Sequence, residues 1–66
     1  MKVFVNGESA ETDEVSDIAQ LAQRLGLQSN SVLIEHNGCA LHQREWTDRK
    51  LAEGDRIEVL RVVAGG

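Results

Sequence analysis

The chain has 66 residues, 41% of them hydrophobic, and seven Lys and Arg stand against eleven Asp and Glu for a formal net charge of −4. One domain of this size buries only about 60% of the surface its unfolded chain exposes, which leaves little scaffold for a substrate pocket of about 300–1,000 Å³ and argues against an enzyme. The acidic balance argues against nucleic acid, because phosphate-backbone binding needs clustered Lys and Arg.

The opening "MKVFVNGESAET" alternates: Met1, Val3 and Val5 point one way, and Lys2, Phe4 and Asn6 the other. Asn6-Gly7 is the dipeptide that favours a type I′ turn, so residues 1–6 and 8–12 read as a β-hairpin. In "VSDIAQLAQRLGL" the period changes. Ile18, Leu21, Ala22 and Leu25 follow the i, i+3, i+4, i+7 spacing of one helical face. Ser16 is the expected N-cap, with Asp17 in the first turn complementing the helix dipole. Gly26 suits the C′ position, with Leu27 behind it as the usual apolar contact.

"SVLIEHNGCAL" is a second Asn-Gly hairpin, joining 32–36 to a short strand at 39–41. Residues 42–54 read as an irregular crossing with one helical turn around Trp46 and Thr47. Glu53-Gly54-Asp55 then turns into "RIEVLRVV", where Ile57 and Val59 share one face and Leu60 and Val62 the other. One amphipathic helix must cover one sheet, so the class is α+β. The first and last strands are apolar on both faces. Placed side by side and parallel in the centre of the sheet, with their hairpin partners outside, they make a β-grasp. Residues 1–63 form this domain and 64–66 a flexible arm.

The closing Ala64-Gly65-Gly66 is the strongest candidate for chemistry. A Gly-Gly pair falls at a given place by chance only about once in 200. A carboxylate is a poor electrophile until it is activated, typically by ATP as an acyl-adenylate. Glycines without a Cβ pass a narrow channel and leave the terminal carbonyl open to a nucleophile. Phe4, Leu60 and Val62 are the second candidate, an apolar patch on the open face of the sheet that fits a partner surface.

Other residues read as structural. Cys39, His36 and His42 flank one hairpin without metal-ligand spacing, and Cys39 has no adjacent base. Trp46 reads as a core plug, and Glu45 and Asp48 as part of a solvated, charge-rich loop. Acids dominate the first half, where Glu8, Glu11, Asp13, Glu14, Asp17 and Glu35 face only Lys2 and Arg24; such a field keeps a small protein in solution or steers a basic partner. The single cysteine, and the lack of a signal-peptide pattern or a membrane-length apolar run, make a cytoplasmic setting the expectation.

With this order of elements and a Gly-Gly end, the chain resembles the ubiquitin-like sulfur carriers, above all the ThiS family of thiamine biosynthesis. The resemblance runs the whole length, through "VFVNGE" (Val3–Glu8), "IAQLAQRLGL" (Ile18–Leu27), "VLIEHNG" (Val32–Gly38), "REW" (Arg44–Trp46), "LAEGDRIEVLRVV" (Leu51–Val63) and "AGG". It implies that Gly66 is adenylated by a ThiF-type enzyme using ATP. The adenylate then becomes a thiocarboxylate with sulfur from a persulfide donor, and a ThiG-type thiazole synthase takes that sulfur. The carrier itself catalyses nothing and binds no cofactor. Family members often have glycine where Ala64 stands, and alanine keeps the arm slim. A molybdopterin-synthase small subunit, a ubiquitin-like protein modifier and a β-grasp binding module with incidental glycines are the alternatives.

Overall fold

The alternating N-terminal residues form a strand, β1 (Lys2–Val5), which turns at Asn6-Gly7 into β2 (Glu8–Glu11). A type I′ turn needs positive φ at both central residues, and Asn6 and Gly7 supply it at 51° and 84°. The second hairpin repeats the device: β3 (Val32–His36) and β4 (Cys39–Leu41) flank Asn37 and Gly38, at φ 52° and 85°. A 3₁₀ helix at Gln43–Asp48 follows, then β5 (Arg56–Arg61). The computed structural model describes residues 1–28 and 30–62. The expected arm, Ala64, Gly65 and Gly66, and the last residue of the expected domain, Val63, lie outside them.

The five strands form one sheet in the order β2-β1-β5-β3-β4. β5 lies parallel to β1, with Val5 opposite Ile57, and antiparallel to β3, with His36 opposite Ile57. First and last strands therefore share the centre of a mixed sheet, as their two-sided apolar character predicts.

One helix, α1 (Ile18–Arg24), covers one face. It differs from expectation at both ends. The N-cap is Asp17 rather than Ser16: the Asp17 carboxylate accepts from the Gln20 N–H at 2.8 Å. Ser16 is committed elsewhere. Its carbonyl accepts from the Leu51 N–H and the Ile18 N–H donates to the Arg49 carbonyl, so residues 16–18 are held extended against 49–51. A pairing 33 residues distant in sequence thus delays the helix by one residue. At the other end Leu25 is the C-cap and stays 42% exposed, so the expected fourth member of the apolar face is outside the core. Leu27 takes its place: Gly26, at φ 72°, bends the chain, Leu27 N–H bonds the Ala22 carbonyl, and the Leu27 side chain packs on the core.

The core lies between α1 and the sheet. Val3, Ile18, Ile34 and Ile57 are its most deeply buried side chains, with Leu21, Ala22, Val32, Leu41, Trp46 and Leu51 around them. Each large apolar side chain so buried contributes about 1.5–3 kcal/mol. Trp46 plugs the core from the 3₁₀ helix, as its composition context predicts. No helix among the described residues is long and apolar enough to cross a membrane.

Candidate functional site

Alternation along β5 sends Ile57 and Val59 toward the helix, and Arg56, Glu58 and Leu60 to the opposite face. Among the described residues that face carries no helix. Leu60 and Val62 are 48% and 56% exposed there. β3 adds Leu33, which stands directly opposite Leu60 and is itself exposed. Leu33, Leu60 and Val62 thus form an apolar zone at the far end of β5.

Phe4 shares this face but not this zone. Its register partner is Arg56, four residues and about 13 Å along the strand from Leu60. Half-buried, it borders a shallow depression of about 310 Å³ together with Gly7, Arg56 and Glu58. The open face is therefore graded, aromatic and charged near the start of β5 and purely apolar near its end. Leu33 escapes the sequence reading. Its signal is the run Val32-Leu33-Ile34, apolar on both faces in the manner of a central strand.

Both turn asparagines reach back to β5. Asn37 accepts from the Arg56 N–H at 2.8 Å, and Asn6 accepts from the Val59 N–H at the same distance. The start of β5 is tied further. The Asp55 carboxylate meets His36 Nε2 at 2.6 Å, and accepts from Asn37 Nδ2 at 3.0 Å and from the Ala52 N–H at 2.8 Å. Arg49 Nε donates to His36 Nδ1 at 3.3 Å. Arginine has no acceptor, so Nδ1 must accept and the imidazole proton sits on Nε2, facing Asp55. Burial alone pushes the Asp55 carboxyl up. The hydrogen bonds from His36, Asn37 and Ala52 outweigh it and hold the group below its ordinary value.

His36 is thus no ordinary strand position but the buried centre of a polar lock. Cys39 and His42 are exposed on the hairpin and its exit. Among the described residues no group of three or more His, Cys, Asp or Glu side chains is placed to hold a metal ion. Glu45 caps the 3₁₀ helix by accepting from the His42 N–H at 2.7 Å, and Asp48 is exposed. Gly66, Gly65 and Ala64 lie outside the described residues.

A mixed sheet with this strand order and a helix on one face defines a ubiquitin-like β-grasp protein. The model of the ThiS family matches residues 3–66, and the chain belongs to that family, which places it among the sulfur carriers of thiamine biosynthesis. It is similar over the full length of both chains to the crystal structure of the thiamine biosynthesis protein ThiS from Geobacter metallireducens, with a TM-score of 0.85 and 29% identity. The solution structure of a thiamine biosynthesis protein from the same organism gives a TM-score of 0.79 at 29% identity, covering all of this chain and 88% of that one. An uncharacterized protein of Trieres chinensis, ycf40, is 24% identical over 63 residues, 96% of this chain and 86% of the relative.

Proposed function

We propose that this chain carries sulfur on its C-terminal carboxylate for thiazole formation in thiamine biosynthesis. The observation that carries the reading is the end of β5. The sheet's central strand ends at Arg61 with Leu60 and the following Val62 exposed, Leu33 standing opposite Leu60. In the sequence one residue, Val63, separates Val62 from Ala64-Gly65-Gly66. An enzyme can grip this apolar zone and receive the slim end in the same encounter.

The Gly66 carboxylate attacks the α-phosphorus of ATP on a ThiF-type enzyme, pyrophosphate leaves, and an acyl-adenylate forms. A persulfide sulfur attacks the acyl carbon and displaces AMP. A second thiol then cleaves the S–S bond, leaving a thiocarboxylate on Gly66 and a disulfide on the donor side. A ThiG-type synthase accepts the sulfur. The domain contributes docking and delivery: Leu60 and Val62 contact the partner, Phe4 flanks them on the same face, and Ala64 and Gly65 present the acyl carbon without a bulky side chain beside it.

The test is the intact mass after incubation with a ThiF-type enzyme, ATP and a sulfide source, beside a variant lacking Gly66. A gain equal to exchanging one oxygen for sulfur, absent from the truncated variant, is expected. No gain with an enzyme active on another carrier overturns the reading.

A further inference from the structure

β3 pairs with β5 as far as Arg61, but β1 pairs with it only as far as Ile57, and beyond that point one side chain takes over on the β1 side. Backbone bonds from odd residues of β5 point toward β1: the Asp55 carbonyl accepts from Phe4 N–H and the Ile57 carbonyl from Asn6 N–H, both at 2.8 Å. Even residues point toward β3, where Val62 N–H reaches the Ser31 carbonyl at 2.9 Å. Val59 therefore faces β1 just where β1 has ended, since the chain turns away at Asn6-Gly7. The Asn6 side chain substitutes for the missing strand. Its Oδ1 accepts from Val59 N–H at 2.8 Å and its Nδ2 approaches the Val59 carbonyl at 3.4 Å. A carboxamide offers the donor and acceptor of a peptide unit, and asparagine also tolerates the left-handed φ of 51° that the turn requires.

We propose that Asn6 is a positioning residue for the carrier end: by closing the ladder on Val59 it fixes the position and direction of the end of β5, as far as Val62. This rests on the carrier reading above. Asn37 makes the contrasting case. It occupies the same turn position and bonds the Arg56 N–H, but at the start of β5, where the Asp55 lock already fixes the strand. A residue that only stabilises its hairpin predicts equal consequences for the two asparagines; a positioning residue does not.

The experiment uses the full chain with Asn6→Gly, Asn6→Asp and Asn37→Gly. Glycine keeps the turn and removes the amide, and aspartate keeps the acceptor for Val59 N–H alone. For Asn6→Gly, Val59 amide exchange is expected to speed up about tenfold or more, with lower NMR order parameters at Arg61 and Val62. The carrier's KM in adenylation by a ThiF-type enzyme should rise about three- to tenfold with kcat unchanged, because the enzyme must then order the strand end itself. Asn6→Asp should fall between, and Asn37→Gly should lose stability while keeping the KM of the parent. Order at Arg61 and Val62 unchanged in Asn6→Gly, or a KM equal to that of Asn37→Gly, overturns the inference. Should the parent not be adenylated by an enzyme active on another carrier, the carrier reading falls, and the order parameters alone decide whether Asn6 fixes the strand end.

Discussion

The two halves of β5 follow opposite designs. The first half is locked: Ile57 is fully buried, Asp55 is bonded by His36, Asn37 and the Ala52 N–H, and Arg56 is bonded by Asn37. The second half keeps its ladder to β3, where Ile34, Leu33 and Val32 stand opposite Val59, Leu60 and Arg61. On the β1 side, however, the Asn6 side chain takes the place of a strand, and Leu60 and Val62 turn to solvent. A single strand thus divides the work. Its start anchors the fold, and its end turns Leu60 to solvent, the surface proposed above for a partner. Small proteins have little stability to spare, and keeping anchor and contact surface on different residues lets each be set independently.

The largest effect expected on this division comes from the anchor. Ile57→Ala removes a fully buried side chain shared by β1, β3 and the helix, and should cost about 2–5 kcal/mol through lost burial and a residual cavity. Chemical denaturation measures it directly. A loss below about 1 kcal/mol would mean that the centre of the sheet is not the anchor.

The polar lock ranks next. Asp55→Ala leaves His36 Nε2–H, Asn37 Nδ2 and the Ala52 N–H without their shared acceptor, and should cost about 1–3 kcal/mol. It also has a pH signature. The folded carboxyl lies below its ordinary value of 3.8, so the unfolded chain takes up this proton first as pH falls. The stabilisation is complete above about pH 5 and drains away as pH drops through the folded value. Asp55→Asn should lose that part of the acid slope. Denaturation midpoints between pH 2.5 and 6 that run parallel in parent and variant would remove Asp55 from the account.

The anchor and the contact surface were not equally legible in the sequence. Strands, hairpins, the central β1–β5 pair and the helix all follow from local periodicity and Asn-Gly turns, because those signals sit within a few residues of each other. The exposure of Leu60 and Val62 on the open face was legible for the same reason. The features that escaped are non-local. Ser16 lost the cap to Asp17 because residues 49–51 pair with residues 16–18. His36 gained a role because β5 brings Asp55 beside it, 19 residues on. Asn6 was readable as a turn residue, but not as the partner of Val59, 53 positions away. Phe4 was placed on the correct face, and only the register shows it beside Arg56 rather than Leu60.

The contact surface should respond least in stability and most selectively in function. Leu60 faces solvent with Leu33 beside it, so Leu60→Ser gives up one cross-strand apolar pair, worth about 0.2–1 kcal/mol. Docking loses more. An apolar anchor at the centre of a partner interface contributes about 1–2 kcal/mol, so kcat/KM for adenylation should fall about five- to thirtyfold while the melting temperature moves only a few degrees. Leu33→Ser should behave alike, and the double variant should lose less than the sum of the two, because the side chains share one contact. Phe4→Ser offers the sharper comparison, since it lies on the same face but about 13 Å from Leu60. If it weakens adenylation independently of Leu60, so that the two losses add, the partner covers the whole face. If it leaves adenylation unchanged, recognition is confined to the last residues of β5, and the charged depression around Arg56 lies beyond the partner's reach.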